Sequence, residues 1–274
     1  MKRLHLAYLI MALLAAASLA GCSMGAAAPT AVPTLPPTQA ATQPPAMTTT
    51  PEASPTAESR GACDNALFPA VKGATWTYSG TGGPSGAYSY TDTITDVRAD
   101  GFTVTSKFDD NLTRTQEWAC KPEGLVALQL PGGAAAITTK QFQANFETSN
   151  VQGVTIPASV DPGDKWSFSL TIKGTQEVSG VKAETSGDAA YDFTAVGTES
   201  VTVPAGTFDA MKVDGVLTLN LTATVSGLSI PVKVTINTTS WFAPGVGMVK
   251  TVSNGSIAGT DLNDTLELQT YNIP

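Results

Sequence analysis

From Leu217 to Ile236 the chain alternates almost without a break. Leu217, Leu219, Leu221, Ala223 and Val225 share one register, and Thr218, Asn220, Thr222 and Thr224 share the other. Ser226-Gly227 then offers a two-residue turn, after which Leu228, Ile230, Val232, Val234 and Ile236 alternate with Ser229, Lys233, Thr235 and Asn237. A period of two places one side of a strand in the dry and the other in water, so this stretch predicts a half-buried β-hairpin. Pro231 brings no amide hydrogen and falls on the polar register, which predicts an edge or a bulge there. The same period runs through Trp166, Phe168, Leu170 and Ile172 against Ser167, Ser169, Thr171 and Lys173. Phe102, Val104 and Phe108 mark another strand, as do Leu266 and Leu268. Nothing in the sequence supplies three turns of amphipathic helix. The expected class is all-β: an antiparallel curved sheet, half-barrel or sandwich, wet on one face and dry on the other.

An internal echo organises these strands. Lys72-Gly73-Ala74-Thr75-Trp76-Thr77-Tyr78-Ser79 is matched by Pro162-Gly163-Asp164-Lys165-Trp166-Ser167-Phe168-Ser169. Trp118-Ala119-Cys120-Lys121-Pro122-Glu123-Gly124-Leu125-Val126 is matched by Trp241-Phe242-Ala243-Pro244-Gly245-Val246-Gly247-Met248-Val249. The expectation is a β domain over 61–274 built from two related β-meanders, 61–156 and 157–274. Chance likeness between Thr- and Gly-rich strands is the alternative. The four tryptophans are expected to anchor the core, because large aromatics dominate β-core burial.

The first sixty residues differ in kind. Lys2 and Arg3 precede an uncharged apolar run, Leu6–Leu19. As a helix it would reach about 21 Å against a hydrocarbon core of about 30 Å, which reads as an export signal over 1–21. The run ends Leu19-Ala20-Gly21-Cys22, which resembles the lipobox of bacterial lipoproteins. By that resemblance Cys22 becomes the new N-terminus and carries acyl chains such as palmitate. Between Ser23 and Arg60 lie 8 Pro, 8 Thr and 9 Ala among 38 residues, with no aromatic side chain. Burial cannot repay the entropy of ordering such a segment. Residues 22–60 are therefore expected to act as a lipidated tether, about 34 Å across as a flexible coil and about 118 Å fully extended.

Charge and histidine content exclude several functions. The formal net charge is −8, and Lys2 and Arg3 would leave with the leader, so no nucleic-acid partner is expected. The single histidine, His5, would leave too. A mature chain without imidazole has no Ser-His-Asp or Cys-His nucleophile and no His-ligated zinc. Two cysteines remain once Cys22 is committed to lipid. An exported setting then predicts a Cys63–Cys120 disulfide, worth roughly 4 kcal/mol by loop closure.

Three further motifs carry a second resemblance. They are Leu67-Phe68-Pro69 before Gly73-Ala74-Thr75-Trp76-Thr77-Tyr78, then Val203-Pro204-Ala205-Gly206-Thr207-Phe208, then Trp241-Phe242-Ala243-Pro244-Gly245-Val246-Gly247. Their order resembles a family of uncharacterised bacterial secreted proteins and lipoproteins. More loosely, the architecture is similar to the half-barrels of lipoprotein carriers and lipid-binding lipoproteins. The likeness implies a curved antiparallel sheet, and it implies no catalytic residue.

The remaining polar motifs read as turns. Ser179-Gly180-Val181-Lys182 fits S-x-x-K but stands in a Gly-rich turn, whereas acyl-transfer enzymes put that serine at a helix start. Asp109-Asp110-Asn111 and Asp261-Leu262-Asn263-Asp264 lack a complete calcium loop. Asp161 and Asp164 flank Pro162-Gly163. No cofactor, no metal and no enzymatic activity are expected. The expected protein is exported and held through Cys22 at the outer face of the cell membrane or at the outer membrane. Its dry face, lined by Leu217, Leu219, Leu221, Val232 and Val234, would take a lipid or another hydrophobic ligand. The alternative is a cell-envelope interaction module, with Tyr88 and Tyr90 as exposed aromatics contacting a protein or glycan.

Overall fold

A computed structural model describes residue 61 and residues 63–82, 86–108, 112–130, 143–178, 181–257 and 260–274. Cys22, the export signal and the tether lie outside the described residues. The described strands are β1 (Thr75–Gly82), β2 (Tyr88–Arg98), β3 (Gly101–Phe108), β4 (Thr113–Lys121), β5 (Gly124–Ala127), β6 (Gln143–Gly153) and β7 (Ile156–Pro157). They continue as β8 (Lys165–Val178), β9 (Val181–Val203), β10 (Gly206–Val225), β11 (Leu228–Ala243), β12 (Gly247–Ile257), β13 (Thr260–Asp261) and β14 (Asp264–Asn272). All belong to one antiparallel sheet, in the order β6-β8-β9-β10-β11-β12-β14-β1-β2-β3-β4-β5-β7, with β13 beside β12. The sheet is not closed into a barrel.

The alternating hairpin forms in the register its sequence dictates. Val225 pairs with Leu228 across Ser226-Gly227, and Leu217 pairs with Ile236. Both turn residues have positive φ, 50° and 79°, the mirror-image turn whose twist suits paired strands. Pro231 faces Thr222 in β10, while β12 pairs with β11 only from Thr235 onward. The proline thus sits where β11 is a local edge and its missing amide hydrogen costs no ladder bond.

The strands curve because their inner faces meet. The short link between β6 and β7 bonds to both ends of the sheet: Val154 N donates to Ser167 O in β8 at 3.1 Å, and Thr155 N donates to Leu125 O in β5 at 2.9 Å. One end of the curve is plugged by the segment that precedes β1. Cys63 is bonded to Cys120 at the end of β4, with an S–S distance of 2.03 Å. Asn65 Nδ2 donates to Pro157 O at 2.8 Å, and Ala66 O accepts from Gly245 N at 2.7 Å. Phe68 stacks on Trp76, Phe102 and Trp118 at centroid distances of 5.8, 5.6 and 5.4 Å. The disulfide therefore fixes a plug laid across several strand ends. Sheet, core and disulfide all lie within Glu58–Pro274, one compact unit with a core of its own, which is what a segment needs to fold alone.

The tryptophans divide. Trp76 and Trp118 are buried, and Trp166 packs inward against Phe193 at 5.3 Å. Trp241 departs from the expected core role. It lies half-buried on the outer face, donates from Nε1 to Glu199 Oε1 at 2.6 Å and has Lys212 over its ring. Trp241 keeps the outward register of Lys233, Thr235 and Asn237, which β11 carries along β10 without a shift, so Phe242 rather than the indole faces the core.

Candidate functional site

The five side chains named from the alternation share one face of β10 and β11. Leu217 opposes Ile236, Leu219 opposes Val234, and Leu221 opposes Val232. Through β9 the rows continue into β8: Phe168–Tyr191–Leu217, then Leu170–Ala189–Leu219, then Ile172–Gly187–Leu221. Leu217 and Val234 are core residues at 4% and 2% exposure. Leu219, Leu221 and Val232 lie nearer the hairpin tip and are only half-buried. Beyond them Leu228 reaches 58% exposure. Apolar cover therefore thins along the strand, away from the plugged end.

Facing this apolar wall, the first meander carries polar groups that the sequence reading missed. On its inner side Asp92 in β2 opposes Ser106 in β3, and Ser106 opposes Arg114 in β4. Ser106 Oγ donates to Asp92 Oδ1 at 2.5 Å. Tyr90 stands beside them, with Tyr78, Tyr88 and Phe108 at ring distances of 5.3, 6.3 and 5.0 Å. Tyr88 and Tyr90 thus occupy the interior and offer no outer aromatic patch. A Cβ on Gly80 would stand 2.2 Å from Tyr88 Cζ, so that glycine makes room for the ring. Tyr88 OH donates to Asp264 Oδ2 at 2.6 Å.

Burial controls the chemistry of the cluster. Desolvation pushes the Asp92 carboxyl up to about 6, against the opposing pull of the Ser106 hydroxyl and the Arg114 charge. Desolvation also lowers Arg114 and raises Tyr78, Tyr90 and Tyr191. Arg114 Nη2 donates to Leu130 O. Yet Tyr90, Asp92 and Arg114 each keep part of their surface open to solvent. The cluster is thus desolvated on the inner face without being sealed from solvent. On the facing wall the Tyr191 hydroxyl is buried and has no hydrogen-bond partner.

A separate small cavity of about 40 Å³ lies near the plugged end, between Leu67, Ile156, Val160, Trp166, Phe193 and Phe242. Ligand pockets measure roughly 300–1,000 Å³, so this cavity suits a water or two. Among the described residues no three His, Cys, Asp or Glu side chains are grouped to hold a metal ion, and no helix is long and apolar enough to cross a membrane. Residues 109–111, with the Asp109-Asp110-Asn111 motif, and 179–180 of the S-x-x-K motif lie outside the described residues.

The Leu67-Phe68-Pro69 and Trp241–Gly247 motifs meet at the plug. Trp76 Nε1 donates to Val246 O at 2.7 Å, and Gly247, at φ 106°, lies against Trp76 and Pro69. The Val203–Phe208 motif forms the β9–β10 turn, where Ala205 N donates to Leu268 O at 3.1 Å.

A family profile described as DUF3108-like matches residues 138–255, less than half of the chain. No curated protein matches. Similar solved structures include a protein described as a lipoprotein from Parabacteroides distasonis ATCC 8503, 18% identical, covering 76% of this chain and 99% of that one at a TM-score of 0.44. Another is an exported protein with a YmcC-like fold from Bacteroides fragilis NCTC 9343, 15% identical, covering 75% and 98% at 0.43. A third is the hypothetical lipoprotein YmcC from Escherichia coli, 9% identical, covering 71% and 84% at 0.35.

Proposed function

We propose that this chain is an exported, lipid-anchored binding protein that holds a hydrophobic ligand within the curve of its sheet, and that it is not a catalyst. One observation carries the reading. The inner face holds apolar side chains, Leu219, Leu221 and Val232, that stay half-buried toward the hairpin tip, where a filled core would have sealed them. The Leu19-Ala20-Gly21-Cys22 sequence supports an acyl anchor on Cys22. The same side chains could serve a partner protein, but the inward Tyr88 and Tyr90 remove the aromatic patch that such a module would use.

The test is native mass spectrometry of Glu58–Pro274, exported to an oxidising compartment and purified without detergent. An added mass that leaves on organic extraction is expected. A clean apo mass, unchanged when lipids are offered, would overturn the ligand reading and move the search to envelope partners. For the anchor, labelled palmitate should enter the full-length protein and fail to enter Cys22→Ala.

A further inference from the structure

A purely apolar site has no use for a guanidinium. Arg114 nevertheless stands on the inner face of β4, opposite Ser106 and partly open to solvent. Taking a cation out of water is costly unless it is paired. Among the described residues Arg114 has one hydrogen-bond acceptor, the Leu130 carbonyl, for its five donors. Asp92 is the near anion, but its carboxylate takes its hydrogen bond from Ser106 and forms no ion pair with Arg114 among the described residues. The carboxyl also stays elevated, at about 6, so Arg114 does not neutralise it fully. On the facing wall the Tyr191 hydroxyl lies within electrostatic reach of Arg114 and is buried without a partner. A buried hydroxyl left unmade costs roughly 1–3 kcal/mol, which one acceptor oxygen would relieve.

These groups continue directly into the apolar wall. Tyr191 shares a row with Phe168 and Leu217, and the rows with Leu219 and Leu221 follow toward the open tip. We propose that Arg114, with the Tyr191 hydroxyl, binds the anionic head group of an amphiphile, a carboxylate or phosphate, whose tail runs along Leu219, Leu221 and Val232. This assignment rests on the hydrophobic-ligand reading and adds the chemical class of the ligand. The planar fork of arginine suits two oxygens of one head group, and the contact is charge-assisted in a desolvated setting.

The experiment compares dodecanoic acid, dodecyl phosphate, dodecanol and inorganic phosphate as titrants of Glu58–Pro274 by calorimetry. The acid and the alkyl phosphate should bind at least about tenfold more tightly than the alcohol. Arg114→Gln should erase that preference, while Arg114→Lys should keep most of it. Tyr191→Phe should reduce it a few-fold. Circular dichroism and an intact disulfide establish that each variant is folded. Equal affinity for acid and alcohol, or an undiminished preference in Arg114→Gln, would overturn the head-group site and leave the hydrophobic-ligand reading standing. Inorganic phosphate binding as tightly as dodecyl phosphate would make the ligand a free anion and overturn the amphiphile. Failure of all four titrants would overturn both readings.

Discussion

The meander β1–β5 and the meander β8–β12 share one plan and use it differently. Each places a tryptophan in its first strand and another in its fourth: Trp76 and Trp118, then Trp166 and Trp241. The strands of the first run 8, 11, 8, 9 and 4 residues; those of the second run 14, 23, 20, 16 and 11. The short strands end in stacked aromatics, where Phe102 and Trp118 lie 5.5 Å apart at an interplanar angle of 10°, with Phe68 against both rings. The long strands overrun that core, and their inner faces change from Phe and Tyr to Leu, Val, Ala and Gly as they leave it. Stability is concentrated where strands are short and rings are large. Access is concentrated where strands are long and side chains lack a facing partner.

The largest expected effect tests the first half of that contrast. Phe102 is 0% exposed inside the aromatic stack, and Phe102→Ala should cost about 4 kcal/mol, read as a shift in the urea midpoint at unchanged slope. A loss below about 1 kcal/mol would mean that the stack is not the stable part. Cutting the Cys63–Cys120 bond comes next. The paired Ser variant should lose about 4 kcal/mol and expose Trp76 and Trp118 to fluorescence quenchers, because the plug carries Phe68 onto both indoles. Unchanged quenching would show that the plug stays in place without its clip.

How much of this contrast could be read from the chain depends on the strand. The β10–β11 hairpin was legible to the residue because eighteen positions, Pro231 aside, alternate around Ser226-Gly227, and one-residue slips would bury threonines. The disulfide was legible from cysteine arithmetic. The polar cluster was not, because Asp92 and Arg114 break the alternation of β2 and β4 and so resemble solvent-facing residues. Which wall they confront depends on how the sheet curls: Arg114 meets Tyr191 across the curve, a relation no local pattern encodes. Tyr88 turned inward for a similar reason, since the space it fills is left by Gly80 on a neighbouring strand, and Tyr90 follows on the same face. Trp241 continues the polar register of Lys233, Thr235 and Asn237, a sign that the period of two carried and the tryptophan echo outweighed.

Asp92 sharpens the comparison through pH. Its carboxyl titrates near 6 in the fold against 3.8 for the free side chain, so the native state holds its proton more tightly than the unfolded chain does. This group therefore favours the fold fully below about pH 4, and that contribution is lost as pH rises through about 6. Asp92→Asn should flatten this slope and raise stability at pH 7 by about 2 kcal/mol, partial solvent access having reduced the full effect. Chemical denaturation between pH 4 and 7 decides it: an identical slope in the variant would mean that the fold does not desolvate Asp92.

The smallest effect is the most discriminating. Leu217 and Leu221 stand four residues apart on one face of β10, with identical side chains and identical strand geometry. If burial alone sets the cost, Leu217→Ala should lose about 3 kcal/mol and Leu221→Ala about 1 kcal/mol or less. Addition of a bound hydrophobic ligand should reverse the ranking of interest. Ligand-induced stabilisation follows affinity, so Leu221→Ala should lose more of it than its small intrinsic cost suggests. Equal costs for the two leucines in the apo domain would mean that the distal sheet is as tightly covered as the core. The division between a sealed half and an open half would then fail at the position where it matters for binding.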